Sequence, residues 1–376
     1  MTNSSSIPFA LALYAALRDR PGNIAVSALS VATALAMTRL GASGETAAEM
    51  ARVLHAPDSA DEAASALGAY LRDVRGTNER YVLRAANRLF GERTYSFEAL
   101  VLERMRAAFG ASFEALDFRG APEATRVRVN EWVAGETGER IRDVIPPGEI
   151  DGETRLVLAN ALYFLGDWEQ PFSAEATRPS PFRLARWQSK KVATMHAREW
   201  CSYAALDGVR VLEKTYKEGR IAMTFVLPDA VDGLATLEAR LSPECLKTWT
   251  DALAGRMVDV ALPKFTMDAP VPLALKPALT TLGMPSAFDG DAADFTRLAN
   301  PPDPADRLFV SEVFHKVFVR VDEKGTEAAA ATAVSMMRAG GRPPKVDEFH
   351  ADHPFLFLLR DTRTGEILFL GRVCDP

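Results

Sequence analysis

The chain has 376 residues, of which 48% are hydrophobic and 25% charged, and its net charge is −6 at pH 7. This balance is typical of a water-soluble globular protein with a large core, and the negative charge argues against nucleic acid as a main partner. No apolar run reaches the roughly 18 residues that a membrane span needs, so no membrane partner is expected.

The cysteines and the N-terminus bear on the compartment. Three cysteines are present, Cys201, Cys245 and Cys374, and an odd number at wide spacing predicts free thiols and a reducing compartment. Residues 1–20 lack the basic region that begins a signal peptide, so they are interpreted as mature protein. The cytoplasm is the favoured location, and secretion is the alternative if a precursor was trimmed.

The first third of the chain predicts helices. Apolar residues recur at helical spacing in segments 8–17, 29–40, 45–54, 61–74, 97–109 and 123–137. Either Ser27 or Ser30 could cap the second of these helices. Residues 81–90 alternate between polar and apolar and predict a strand.

After Pro146-Pro147-Gly148 the pattern turns to β-structure. Residues 155–164 are nearly all apolar, as expected of a strand that is covered on both faces, and the single Asn160 within them predicts a buried polar cluster. Further strands are predicted at 209–215, 221–228, 257–265, 308–321, 354–360 and 366–373, and further helices at 233–241, 243–254 and 271–282. No domain linker is evident, and the length allows one large domain or two or three ordinary ones.

Residues 322–340 form an unusual stretch. A charged turn at 322–325 precedes a tract of small residues, followed by bulkier ones from Met336 onwards. Propensity alone allows an Ala-rich helix capped by Thr326. At a period of two residues, however, one uncharged face appears, which would suit an extra strand sliding into a preformed sheet. Its members are Thr326, Ala328, Ala330, Thr332, Val334 and Met336.

Motifs of enzymes are absent from the sequence. There is no G-x-S-x-G, H-E-x-x-H, P-loop or dinucleotide-binding motif, so no enzyme activity and no cofactor are expected. His350 and His353 form an H-x-x-H pair without further ligands, so no metal site is predicted. His315 is interpreted as a satisfied core histidine and not as a catalytic base.

Several motifs in order resemble those of the serpin family. They are N-I-A-V-S-A-L-S at 23–30, N-A-L-Y-F-L-G-D-W at 160–168, L-P-K-F at 262–265, the H-K strand at 311–316, the hinge at 322–332 and the C-terminal hairpin at 353–373. This resemblance implies a single α+β domain over residues 1–376, with three β-sheets, eight or nine helices and an exposed reactive-centre loop at about 325–345.

The resemblance also implies a function and a set of site residues. The protein would be a monomeric inhibitor of serine proteases, acting as a suicide substrate whose cleaved loop inserts into the large sheet. The implied shutter comprises Ser27, Ser30, Asn160 and His315, and the implied breach comprises Trp168, Lys264 and Glu323, with an ion pair expected between the last two. The implied hinge comprises Glu323, Gly325, Thr326, Ala328, Ala330 and Thr332.

The hinge length usual in the serpin family, counted from Glu323, implies a reactive bond between Ala339 and Gly340. A small residue before the cut would suit elastase-like or subtilisin-like targets. A shift by one residue would place it between Arg338 and Ala339 and would suit a trypsin-like target. Cysteine proteases are a further target class. The alternative function is a non-inhibitory serpin that acts as a carrier or chaperone, although the small uncharged hinge disfavours it.

Overall fold

The computed structural model describes residues 6–75, 81–110, 113–206, 208–326 and 345–376. Within these ranges lie nine α-helices: α1 (Ile7–Leu17), α2 (Ala28–Arg39), α3 (Gly44–Val53), α4 (Ala60–Arg75), α5 (Ala99–Phe109), α6 (Pro122–Glu136), α7 (Leu234–Ala239), α8 (Pro243–Asp251) and α9 (Lys276–Thr281).

The same ranges contain the strands, which are, in chain order, β1 (Ile24–Val26), β2 (Tyr81–Glu92), β3 (Phe113–Leu116), β4 (Leu156–Asp167), β5 (Arg178–Ala185), β6 (Gln188–Leu206), β7 (Val209–Thr215), β8 (Ile221–Pro228), β9 (Ala254–Pro263), β10 (Phe265–Met267), β11 (Leu273–Ala274), β12 (Glu312–Val321), β13 (Gly325–Thr326), β14 (Val346–His350), β15 (Phe355–Asp361) and β16 (Ile367–Val373).

Two hydrogen-bonded sheets connect these strands. The larger has the order β1-β16-β15-β8-β7-β6-β9-β14, with β5 beside β6, and the smaller has the order β10-β12-β4-β2-β3, with β11 beside β12 and β13 beside β4. The resemblance implied three sheets. Two of them are joined here because β6 is 19 residues long and pairs with β5 along its first part, with β9 along residues 194–203 and with β7 along its last part.

Helix α2 lies buried between the two sheets. All twelve of its residues are buried, and it contacts β16 on one side and β2 and β4 on the other. Its N-terminus is capped by Ser27, whose hydroxyl accepts a hydrogen bond from the Ser30 amide at 3.2 Å. Because α2 has no polar face, burial against both sheets determines its position.

Strand β4 is covered on both faces, as its apolar sequence predicts. One face packs toward α2 and the second sheet, while Ala159 and Ala161 on the other face belong to a cluster that includes Val129 and Val133 of α6. Backbone hydrogen bonds along β4 are therefore shielded from water, and any strand added beside it would be buried as well.

Several stretches differ from the sequence-based prediction, and two of them can be explained from the local sequence. The helix predicted over 271–282 is confined to α9, because Pro270 and Pro272 precede β11, whose Leu273 pairs with His315 of β12. The hairpin of β5 and β6 was not foreseen. Many of its residues are exposed or only half-buried, so it lacks the apolar alternation that marks a strand.

Candidate site for strand insertion

The seam between β4 and β12 is the central feature of the smaller sheet. The two strands run parallel, and residues 157–163 of β4 pair directly with residues 312–318 of β12. Parallel neighbours need a crossover, which here is the long chain segment between them. Above Tyr163 and Phe318 the direct pairing ends.

The chain after β12 turns back into the top of this seam. Asp322 donates its amide to the Gly325 carbonyl at 2.9 Å, and β13 then pairs antiparallel with β4, with Gly325 opposite Asp167 and Thr326 opposite Gly166. Thr326 is therefore in a strand, and the residues that would follow it in a helix or a longer strand lie outside the described residues. The first step of an additional strand is already in place.

Glycine is required at position 325 by close packing. Its φ is +149°, and a Cβ placed there would lie 2.0 Å from the Gly166 carbonyl oxygen and 2.8 Å from the Trp168 amide nitrogen. No side chain fits at that distance. Gly325 thus lets β13 approach β4 closely enough to pair with it.

Backbone carbonyls of the turn are held by neighbouring donors. The Trp168 indole donates to Asp322 O at 3.0 Å, the Phe172 amide to Glu323 O at 2.8 Å and the Trp168 amide to Lys324 O at 2.8 Å. These bonds fix the direction in which the chain enters the seam.

An aromatic stack supports the first inserted side chain. Trp168 stacks on Tyr216 with ring centroids 4.3 Å apart, and the Tyr216 hydroxyl forms a hydrogen bond of 2.7 Å with the hydroxyl of Thr326, which is fully buried. Burial raises the pKa of Tyr216, so the phenol stays neutral. The threonine therefore faces the side of the sheet on which β4 carries Phe164.

The expected ion pair between Lys264 and Glu323 is present. The Lys264 ammonium lies 2.8 Å from one carboxylate oxygen of Glu323 and 3.1 Å from the other, which also accepts a hydrogen bond from Thr177 at 2.8 Å. Burial opposes ionisation of Glu323, but the hydrogen bonds from Lys264 and Thr177 outweigh it and lower the pKa. The carboxylate thus anchors the end of β12 beside the seam.

Lys214 is a supporting residue that the sequence did not reveal. Its ammonium forms a buried ion pair with Glu199, donates to Gln170 O at 3.2 Å and lies over the rings of Phe172 and Trp168, 4.5 and 5.7 Å from their centroids. The sequence around Lys214 in β7 does not indicate that this lysine is buried, because the residues that contact it come from other segments of the chain.

A polar row crosses the seam lower down. Asn87 of β2, Asn160 of β4 and His315 of β12 lie opposite one another in adjacent strands. Asn160 donates to Ser30 O at 2.5 Å and to Asn87 Oδ1 at 2.7 Å, and Ser30 Oγ donates to that same oxygen at 3.1 Å. This row brings together the predicted shutter residues and adds Asn87, which sequence reasoning missed. The sequence offered one indication, since Asn87 is a polar amide side chain within the predicted strand at 81–90.

His315 joins both sides of the seam. Its Nε2 accepts a hydrogen bond from the Ser27 amide at 3.0 Å, so its Nδ1 carries the proton and donates to Asn160 Oδ1 at 2.5 Å. Burial lowers the pKa of His315 to about 3, and the contact with Asn160 only partly offsets this. The imidazole is therefore neutral, as the interpretation as a satisfied core histidine requires.

Several predicted site residues lie outside the described residues. They are Ala328, Ala330 and Thr332 of the hinge, and Arg338, Ala339 and Gly340 around the reactive bond. The two histidines of the H-x-x-H pair are separated in their contacts: His353 is buried against Pro228 O and Asp352, whereas His350 faces Asp259.

Neither a membrane-spanning helix nor a metal site is found within the described ranges. No helix there is both long enough and apolar enough to cross a membrane. No group of three or more histidine, cysteine or acidic side chains within the same ranges could hold a metal ion.

The class of protein is a mixed α+β fold in which two parallel strands form a seam and the next segment of the chain already pairs with β4 above it. The chain belongs to the serpin family, because the family pattern described as Serpin (serine protease inhibitor) matches residues 4–376. That description is of an inhibitor, so the prediction that the chain is not an enzyme is confirmed.

Relatives and solved structures agree with this assignment. The chain is similar to leukocyte elastase inhibitor of Equus caballus, at 38% identity over 100% of this chain and 99% of that protein. Its fold is similar to that of uncleaved ovalbumin, with a TM-score of 0.88, 27% identity and 99% of each chain covered. It is also similar to Serpin48 of the insect Tenebrio molitor, with a TM-score of 0.86, 31% identity and coverage of 100% and 97%. The predicted serpin fold is thereby confirmed.

Proposed function

We propose that this protein inhibits serine endopeptidases as a suicide substrate, within a single domain whose reactive-centre loop spans about 325–345. The protease serine attacks the loop and forms an ester with the residue before the cut, releasing a new N-terminus. The cut loop then inserts between β4 and β12 before the ester is hydrolysed. The observation that carries this proposal is the pairing of β13 with β4 above a directly paired seam.

The register of β13 sets where later residues would lie. Since Gly325 pairs with Asp167 and Thr326 with Gly166, a continued antiparallel strand would place Thr332 opposite Asn160 and Met336 opposite Leu156. Such a strand would span roughly 35 Å at ~3.3 Å per residue. The inserted loop would thus reach the end of the seam at which β4 begins.

The two faces of that strand suit this register. Directly opposite residues in an antiparallel pair point to the same side, so 328, 330, 332, 334 and 336 would share the buried side of Thr326. Those residues are small or apolar and uncharged. Thr332 would bring a hydroxyl to the polar row once the His315–Asn160 hydrogen bond had been broken.

The free energy of insertion comes from new backbone hydrogen bonds and burial. Each hydrogen bond contributes ~0.5–1.5 kcal/mol net, and a strand of this length would form on the order of ten. The state described here, with the seam directly paired, must then be held by a kinetic barrier. Separating β4 from β12 across the polar row would constitute that barrier.

We propose Ala339–Gly340 as the reactive bond, with Arg338–Ala339 as the alternative. A small residue before the cut suits an elastase-like or subtilisin-like protease, and the relatives named leukocyte elastase inhibitor support the first of these. The alternative bond would suit a trypsin-like enzyme. Cysteine proteases are a further class to be tested.

The test is a trapping assay with a panel of elastase-, subtilisin- and trypsin-type proteases and one cysteine protease. An inhibitor forms a covalent complex that survives denaturing electrophoresis, and mass spectrometry of the released peptide identifies the cut. Thr326→Arg would place a charge at a fully buried site, so we expect at least a hundredfold more inhibitor to be cut per protease trapped.

Glu327→Arg is the matched control, since residue 327 would lie on the opposite face, and we expect it to trap protease nearly as the native chain does. Cleavage of the loop by every protease without trapping would contradict the proposal. A carrier or chaperone would be indifferent to both substitutions.

A further inference from the structure

A cavity of about 590 Å³ lies outside the insertion seam, between α2, α4 and the turn that joins β15 to β16. The facing sides of the two helices contribute alanines to its walls, Ala32 and Ala36 of α2 and Ala60, Ala63 and Ala66 of α4. Small side chains on the facing sides of both helices leave this volume unfilled. Its size is that of sites for drug-sized ligands, which are ~300–1,000 Å³.

A buried cation stands at one end of the cavity. Arg39, the last residue of α2, is 3% exposed, and its guanidinium donates to the carbonyls of Ala47, Pro57 and Asp58 at 3.3, 2.8 and 2.7 Å. No salt bridge to Arg39 is found among the described residues. Burial lowers the pKa of Arg39, and attraction to the nearby Asp58 carboxylate only partly offsets this, so an anion in the cavity would further stabilise the buried charge.

A buried hydroxyl stands at the other end. The Tyr70 hydroxyl of α4 is shielded from solvent and has no hydrogen-bond partner among the described residues; Thr364 is near it but outside hydrogen-bonding geometry. Glu366 also lines this end and accepts hydrogen bonds from the Ser6 amide at 3.0 and 3.1 Å. The Glu366 carboxylate would repel an acidic group there, and the cation at this end, Arg363, is already paired with Asp73.

The two ends are separated by the first ten residues of α4. Pro57 and Asp58, which Arg39 contacts, directly precede the start of α4 at Ala60, and Tyr70 follows ten residues later, about 15 Å along a helix that rises ~1.5 Å per residue. We propose that the cavity binds a linear apolar monocarboxylate. Its acid group meets Arg39, its chain lies along the alanines, and its far end approaches Tyr70.

Binding is tested on the full-length protein with dodecanoate, dodecan-1-ol and dodecyltrimethylammonium, each below its aggregation concentration. Isothermal titration calorimetry should show saturable binding of one dodecanoate per chain. Because the head group meets a cation, we expect the alcohol and the ammonium compound to bind at least tenfold more weakly. This comparison uses the unaltered chain and needs no variant to fold.

A matched pair of variants locates the site. Ala63→Phe would fill the cavity, whereas Ala69→Phe places the same ring on an exposed position of the same helix that does not line it. We expect at least a tenfold loss of dodecanoate affinity for the first and none for the second, with circular dichroism confirming that both are folded. The proposal is overturned if dodecanoate does not saturate, if the alcohol or the ammonium compound binds as tightly, or if the two variants bind alike.

Discussion

The top and the middle of the β4–β12 seam are held by different interactions. At the top, Trp168, Tyr216 and the Lys264–Glu323 ion pair receive the returning chain and hold two of its residues in the sheet. In the middle, a neutral hydrogen bond between Asn160 and His315 ties the two directly paired strands to each other. Under the proposed function, the top would accept an added strand, whereas the middle would exclude one. Insertion would begin without a new contact and stop at Tyr163 and Phe318, where the direct pairing begins above the polar row.

Removal of the central amide should have the largest effect. Asn160→Ala leaves the His315 Nδ1–H, the Ser30 carbonyl and the Asn87 oxygen each without one partner, and a buried group left unpaired costs ~1–3 kcal/mol. We expect the native form to lose about 3 kcal/mol or more, measured by denaturant unfolding. Asn300→Ala, at an exposed position, serves as the control. Equal stability of the two variants would show that the row does not hold the seam.

Substitution of the hinge glycine should weaken the top and leave the middle intact. Gly325→Ala places a Cβ 2.0 Å from the Gly166 carbonyl, so β13 must move away from β4, at about 1–3 kcal/mol. Hydrogen exchange should then become faster at the amides that this pairing protects. Gly255→Ala, where a Cβ meets nothing within 4 Å, should leave exchange unchanged. Unaltered exchange in the Gly325 variant would argue against the packing described here.

Acid should weaken the middle through His315. The folded protein holds this imidazole neutral with a pKa of about 3, whereas in the unfolded chain it binds a proton below about pH 6.5. Its stabilising contribution is complete above pH 6.5 and falls by up to about 1.4 kcal/mol per pH unit as the pH drops toward 3. Unfolding free energies between pH 7 and 4 should show a smaller slope in His315→Gln than in the native chain. An unchanged slope would assign the acid sensitivity to other groups.

Loss of the ion pair at the top should have the smallest effect. Lys264 is about one-third exposed, so solvent weakens its attraction to Glu323, and Lys264→Met should cost about 0.5 kcal/mol. That corresponds to about a twofold change in the fraction of protease trapped, and high salt should reduce the difference. Lys247→Met, which removes the exposed partner of Asp251 far from the loop, is the control. A tenfold loss of trapping would contradict the expectation that the ion pair contributes only about 0.5 kcal/mol.

The sequence predicted those parts of the fold that carry their own pattern. The apolar run of β4 and the alternation of β12 gave both strands of the seam, and Asn160 within β4 indicated the polar row before any partner was known. Buried polar atoms require partners, so a single amide in an apolar strand implies a cluster. The period-two face that begins at Thr326 predicts a strand where propensity allows a helix; only Thr326 lies within the described residues, in β13, and the rest of the face stays a prediction.

Other members of the site had no local signal. Hydrogen bonds to residues more than forty positions away give Tyr216, Lys214 and Thr177 their places in the site. The hairpin of β5 and β6 is half-exposed and polar, so its pairing became evident only in the folded sheet. Tertiary contacts of this kind determine where a residue lies in the fold, but they leave no pattern in the sequence around it.

The pairing of Thr326 with Gly166 also has a consequence for the length of the loop. A sheet distinguishes the two sides of an incoming strand at every second residue, so an insertion of one residue after Thr326 would turn each following side chain to the wrong side, whereas an insertion of two would restore every side. Whether the number of residues between the hinge and the cut is odd or even would thus matter more than the number itself. Loops of related chains could lengthen or shorten in pairs while keeping the same buried face.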